Sequence, residues 1–314
     1  AGMTTRRTVL GGGLTAMAGL ALGGCIPRDT SEAGRLEAQF RLIEVATGGT
    51  FGIAAYDMLT TRTLAYRGDE RFALASTFKT SLAAFAMAEA QAGRIDLDER
   101  TFWTQADFVF HRPFTGERVE SGATWRELAY AAQTQSDNVA ANLLLKRLGG
   151  PEALTAFWRS LDDPVSRLDR WETDLNRVPP GTVEDTTTPA AMAQTLATLL
   201  FAQDRSPLVA ERRQELRRWM VESATGLQKV RLGLARGWEA GDKTGNSSDW
   251  PDAPYVRGDI GYVIGPLDEP VTFAAYHRSP LGAPLDDAPV DAGFAAIGRA
   301  LRGYIERTHI IINS

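Results

Sequence analysis

The strand-forming segments of this chain lie at its two ends, and nearly everything between them reads as helix. Near the start, TFGIAAYDMLTTRTLAYRGDERF (residues 50–72) carries two alternating apolar runs about a Thr-Thr-Arg-Thr turn, the pattern of a hairpin. After residue 237 three more strands follow, in WEAGDKTGN, VRGDIGYVIGP and PVTFAAYHRS, the last two joined by the turn from Gly265 to Pro270. Strands so far apart in sequence have to pair with one another. The expected fold is therefore α+β, multi-domain: an antiparallel five-stranded sheet flanked by helices and interrupted by an all-α domain. The α/β part covers about residues 35–70 and 222–310, and the all-α part about 71–221. A functional site is expected where the two parts meet.

Local signals place the helices. EAGRLEAQFRLIEVATG opens the folded region after a polar tether (residues 26–34), and DAGFAAIGRALRGYIE closes it ahead of a short tail, residues 311–314. Thr124 with Glu127 forms a capping box, a glycine C-cap follows NLLLKRL, and Pro151 and Pro189 each open a helix. The stretch DRWETDLNRVPPGTVEDTTT has two prolines and no period, so it is a long loop, and such loops in compact domains are often functional.

Composition removes several classes of function. The net charge is −5 with no long basic run, which excludes nucleic acid as a partner. His111, His277 and His309 have no ligand spacing and only one cysteine is present, so a histidine- or thiol-bound zinc site is not expected. That cysteine, Cys25, ends the segment TTRRTVLGGGLTAMAGLALGGC, which resembles a twin-arginine signal closing in a lipobox. A transmembrane anchor is the alternative, but the apolar run is short and broken by glycine. Residues 1–25 are expected to act as a signal peptide, with Cys25 lipidated and Ala1-Gly2 an appended dipeptide. With Ile26 rather than aspartate directly after Cys25, sorting to the periplasmic side of the outer membrane is expected. The lipid would be the chain's only tie to a membrane.

The chemistry begins at ALASTFKTSLAAF. Ser76 and Lys79 are three residues apart, hence on one face of a helix, and the surrounding residues are apolar. A lysine in an apolar pocket can lose its proton and act as the base that activates a serine. Alone, the pair is ordinary: a Ser-x-x-Lys spacing arises about once by chance in a chain of this length. Two further motifs follow in order. Ser136-Asp137-Asn138 lies between two helices, and Lys243-Thr244-Gly245 ends a strand.

This order resembles the signature of class A serine β-lactamases and of penicillin-binding proteins. The long loop, with Glu172 and Asn176 in RWETDLN, resembles the Ω-loop of the β-lactamases, and the resemblance runs from about residue 35 to the last helix. It implies a β-lactamase/transpeptidase-like fold, needing no cofactor or metal. It also implies that Ser76 is acylated, with Lys79, alone or with Glu172 through a water, as the base. Ser136 would relay the proton to the leaving nitrogen. Glu172 and Asn176 would direct the hydrolytic water. The backbone N–H groups of Ser76 and Asn246 would form the oxyanion hole. Asn138, Lys243, Thr244, Gly245, Asn246 and Arg257 would hold the substrate, with Asp291 orienting Arg257 and Lys229 a competing cation. Arg170 with Asp185 would close the loop, Asn142 would pin it, and the Glu172–Thr173 bond would be cis. The implied partners are small β-lactams, penicillins and cephalosporins, met by a monomer.

Some residues depart from the pattern. Ala75 stands where disulfide-bearing carbapenemases have cysteine, and His111 falls near an aromatic gatekeeper position. Trp250, in the long NSSDWPDAPYVR connection, could reach the cleft rim or cover a sheet edge. The alternatives to a β-lactamase are a penicillin-binding DD-peptidase and a non-catalytic β-lactam sensor, both of which keep their acyl-enzyme from rapid attack by water.

Overall fold

The computed structural model describes residues 31–248 and 250–311. The twin-arginine segment, Cys25, residues 26–30 of the tether and residues 312–314 lie outside them. Helix α1 (Glu32–Thr47) begins inside the expected tether, because the Ser31 side chain accepts from the Gly34 N–H at 3.2 Å and caps the helix there. It leads into the hairpin β1 (Thr50–Asp57) and β2 (Arg62–Tyr66). The turn between them is residues 58–61, two residues earlier than the threonine cluster suggests.

Two short ladders, β3 (Phe72–Ala73) with β6 (Thr186–Thr187) and β4 (Arg100–Thr101) with β5 (Ala123–Thr124), tie down the ends of helical segments. The helices of this middle region are α2 (Phe78–Gln91), α3 (Trp125–Thr134), α4 (Asn138–Leu148), α5 (Pro151–Ser160), α6 (Pro189–Leu200) and α7 (Ala210–Glu222). The short α8 (Val230–Gly233) precedes β7 (Glu239–Asn246), β8 (Val256–Ile264) and β9 (Pro270–Arg278), and α9 (Asp287–Ile311) closes the fold. The sheet is five-stranded, in the order β2-β1-β9-β8-β7, with every neighbouring pair antiparallel.

Each face of the sheet has its own core, because successive side chains on a strand point to opposite sides. On one face Phe51, Ile53, Val263 and Phe273 pack with Leu36 and Phe40 of α1 and Phe294 and Leu301 of α9. On the other, Ala54, Ile260, Tyr262, Ala274 and Tyr276 continue into the helical core around Phe78, Leu82 and Leu144. Helix α6 lies on this second face, where Thr272 Oγ1 donates to the Ala193 carbonyl at 2.7 Å. The helical region is thus an insertion in the chain, yet it shares one apolar core with the sheet.

Helix α2 runs through that core. Phe78 to Ala84, Ala86 and Met87 are all buried, so the helix is covered on every side. Full burial of a Phe or Leu side chain stabilises by about 1.5–3 kcal/mol, which is ample to hold a helix carrying one buried ammonium. Lys79 is that residue, fully buried near its N-terminus.

Candidate active site

Ser76 sits in a 3₁₀ turn (Ala75–Thr77) that leads directly into α2. Thr77 secures the turn, donating from Oγ1 to the Leu74 carbonyl at 2.6 Å and meeting the Tyr276 hydroxyl at 3.1 Å. The turn packs against β7 and β8. A Cβ on Gly245 would lie 3.0 Å from the Leu74 carbonyl and from Thr77 Cγ2, and 3.2 Å from Ala75 Cβ. The missing side chain at Gly245 therefore makes room for the turn that carries Ser76.

Three segments converge on Ser76. Lys79 Nζ is 2.9 Å from Ser76 Oγ, 3.0 Å from the Ser136 carbonyl, 2.5 Å from Asn138 Oδ1 and 2.9 Å from Glu172 Oε1. Four acceptors thus face an ammonium with three protons. Burial lowers the Lys79 pKa from the ordinary lysine value, while the carboxylates of Glu172 and Asp137 oppose that fall. Glu172 Oε1 also receives Ser76 Oγ at 3.5 Å, and Oε2 accepts from Asn176 Nδ2 at 2.8 Å.

The loop that carries Glu172 is held at several points. Asn142 on α4 exchanges two hydrogen bonds with the Glu172 backbone, at 2.9 and 3.0 Å. Arg170 Nε donates to Asp185 Oδ2 at 2.6 Å. The Glu172–Thr173 peptide is cis.

Ser136 links the two lysines. Its Oγ is 3.5 Å from Lys79 Nζ and 3.1 Å from Lys243 Nζ. Burial first, and then the charge of Lys79, lower the Lys243 pKa to about 7. Asp137 caps α4 through the Ala140 N–H at 2.8 Å and holds the backbone of Phe114 and Thr115. Ala75, His111 and Ser136 adopt positive φ values of 42°, 58° and 59°. Such backbone is uncommon without glycine and gathers at functional sites.

A cleft of about 470 Å³ opens over these groups. Ser76, Ser136, Asn138, Asn176, Thr244 and Asn246 line it, so two fully buried lysines, Glu172 and Gly245 act from behind the surface. Thr244 is fixed by a 2.8 Å hydrogen bond to Thr225, which also faces the cleft and has no motif to announce it. Phe110 lines the mouth, 79% exposed, and its carbonyl receives Asn138 Nδ2 at 2.8 Å. His111 and Trp250 line the cleft as well.

Arg257 departs from its expected place. It opposes Asn246 in the β7–β8 register but does not line the cleft. Its Nε donates to Asp287 Oδ1 at 2.5 Å, and Nη1 to the Ser247 and Val256 carbonyls at 2.6 and 3.0 Å. Asp291, expected beside Arg257, pairs instead with Lys229, because it stands one helical turn after Asp287 on α9. Among the described residues no cluster of His, Cys, Asp and Glu could hold a metal ion.

Comparison with known proteins places this arrangement. Residues 35–305 match the model of the Beta-lactamase enzyme family. The chain is 40% identical over 266 residues to Beta-lactamase FAR-1 of Nocardia farcinica, covering 84% of this chain and 82% of that protein. It is 45% identical over 210 residues to Beta-lactamase AST-1 of Nocardia asteroides, 67% of each. Among solved structures, the reconstructed last common ancestor of Gram-negative bacteria class A β-lactamase (GNCA4) superposes with a TM-score of 0.80 at 42% identity, over 85% of this chain and 98% of that one. The β-lactamase of Desulfarculus baarsii gives 0.79 at 35% identity, over 87% and 98%.

Proposed function

The chain belongs to the class A β-lactamase family, and from that premise we propose how its residues divide the work. It is a serine hydrolase that opens the amide bond of β-lactam antibiotics and so confers resistance. One observation carries the assignment of roles: Lys79 Nζ stands 2.9 Å from both Ser76 Oγ and Glu172 Oε1, out of contact with bulk water.

Ser76 Oγ attacks the lactam carbonyl while its proton passes to Lys79, alone or with Glu172 through a water. Ser136 Oγ, between Lys79 and Lys243, passes a proton to the departing nitrogen. The backbone N–H groups of Ser76 and Asn246 stabilise the oxyanion. Glu172, oriented by Asn176, then removes a proton from the water that cleaves the ester. Thr244 and Lys243, with Asn138 and Asn246 along the cleft and a further cation from Arg257 or Lys229, receive the substrate. A penicillin-binding DD-peptidase or a sensor would keep its β-lactam acyl-enzyme from rapid attack by water, whereas Glu172 stands beside Ser76 where it can activate that water.

The test is Glu172→Gln mixed with a penicillin. A general base contributes about 10²–10⁴-fold, so a burst of about one equivalent should be followed by a stall, with the adduct on the Ser76 peptide by intact-mass and peptide spectrometry. Turnover like wild type, or no acylation at all, places the hydrolytic base elsewhere.

The same reading extends to location. We propose an exported monomer, anchored to the outer membrane by lipid on Cys25; the twin arginines and the Leu22-Gly23-Gly24-Cys25 run support this. Cys25→Ala should move activity from the membrane pellet to the soluble periplasm. Wild-type enzyme already soluble there would remove the anchor.

A further inference from the structure

The two lysines of the cleft stand on separate elements, Lys79 on α2 and Lys243 on β7, and Ser136 Oγ works in the gap between them. A hydroxyl passes a proton across such a gap only while both contacts stay within hydrogen-bond reach. The contact to Lys79 is already 3.5 Å, so a small separation of helix and strand would break the path.

Behind the lysines a second polar chain crosses the same gap. Thr80, the residue after Lys79, donates from Oγ1 to Gln133 Oε1 at 2.7 Å. Gln133 Nε2 donates in turn to the carbonyl of Asp242, the residue before Lys243, at 3.0 Å. Gln133 itself lies in the last turn of α3, three residues before Ser136. One amide thus joins the segments that carry the two lysines and the serine.

This chain of bonds is set in apolar surroundings. Thr80 and Gln133 are fully buried, and Leu82, Ala83, Ala131 and Ala132 on the same helices belong to the apolar core. An apolar pair could fill the space without the cost of desolvating a hydroxyl and an amide. The amide suits both ends: the Asp242 carbonyl can only accept, so it takes the N–H end, and Oε1 is left for the hydroxyl. Because β7 is the edge strand of the sheet, Gln133 gives its backbone a partner where no further strand lies. Ser81, next on α2 and equally buried, shows the contrast, for its hydroxyl has no partner among the described residues.

Resting on the β-lactamase reading, we propose that Gln133 is a positioning residue whose amide sets the distance between Lys79 and Lys243, and with it the proton path through Ser136 to the departing nitrogen. Gln133 does not line the cleft and acts only through its neighbours. The path it holds is used in acylation, when the lactam nitrogen leaves. Hydrolysis of the ester proceeds from the Glu172 side and does not call on it. Loss of the bridge should therefore slow the first step and spare the second.

The test uses Gln133→Met, which keeps the length of the side chain and removes both hydrogen bonds. At saturating benzylpenicillin, rapid-quench intact-mass spectrometry reads the acylated fraction of the enzyme. Dividing kcat by that fraction gives the deacylation constant, and dividing it by the remaining fraction gives the acylation constant. Acylation should fall about tenfold, with deacylation little changed. Thr80→Val is the milder variant should Gln133→Met misfold. It removes only the bond to α2 and should slow acylation about threefold, with Thr80→Ser restoring the rate. Ser81→Ala, which deletes a buried hydroxyl outside the bridge, should change neither constant. Bridge variants that slow both steps alike, or neither, overturn the proposal and leave Gln133 a structural residue. Wild-type enzyme that forms no adduct and does not turn over the penicillin overturns the lactamase reading, and this proposal with it.

Discussion

On the helical wall of the cleft, Lys79 meets four acceptors within 3.0 Å, drawn from the Ser76 turn, the Ser136–Asn138 segment and the Glu172 loop. On the sheet wall, Lys243 has, among the described residues, only Ser136 Oγ and the Thr244 carbonyl as hydrogen-bond partners, and Arg257 turns away to Asp287. The first wall is fixed before any substrate arrives, as charge stabilisation in a transition state requires. The second holds its cations beneath the surface, against partners that a substrate carboxylate would have to join or displace. Chemistry and recognition are thus organised differently within one cleft, and each difference can be tested on the sheet side.

The larger expected effect concerns the second cation. Asp287 is 53% exposed, so its hold on Arg257 is partly screened and the guanidinium can be shared with an incoming carboxylate. A charge-assisted bond to a carboxylate is worth about 1.5–3 kcal/mol, so Arg257→Ala should raise KM for a penicillin about tenfold at nearly constant kcat. Lys229 pairs with the half-buried Asp291 and lies 4.8 Å from the centre of the Phe294 ring, a site that holds it in place. Lys229→Ala should change KM less. The reverse order in steady-state kinetics would hand the role to Lys229 and make the sheet wall as preset as the helical one.

The same contrast explains what could be read from the sequence. Ser76 and Lys79 are legible because a turn running directly into α2 fixes their relation, and Ser136, Asn138 and Glu172 because each lies in a contiguous motif beside a cap or a loop. The strands were legible from alternation and the helix starts from Thr124, Pro151 and Pro189. On the sheet wall the side-chain partners depend on register and on where α9 passes, and neither is written in local spacing. Hence Asp291 was assigned to Arg257, although one helical turn puts Asp287 there. Nothing in Lys-Thr-Gly reveals that the Ser76 turn packs behind Gly245. Thr225 and the Arg177–Asp252 tie escaped notice for the same reason: both join segments distant in the chain.

The smaller effect is a pH dependence, and it belongs to Lys243. Its pKa falls from the ordinary 10.5 to about 7, through burial and then the charge of Lys79. A base with a lowered folded pKa is cationic below that value and loses its proton as pH rises through it. In the free enzyme, attraction for an anionic substrate should therefore weaken as pH climbs through about 7, giving kcat/KM an alkaline limb. A bound carboxylate raises the lysine's pKa again, so the limb in kcat should lie at higher pH. Lys243→Arg keeps its charge throughout this range and should move the kcat/KM limb upward by at least about one unit, even if it lowers the plateau. Lys79, as the proton acceptor, acts when neutral, so its own titration would raise kcat/KM with pH and cannot supply that limb. An unmoved limb in Lys243→Arg would assign it to another group and remove the titrating cation from the recognition side.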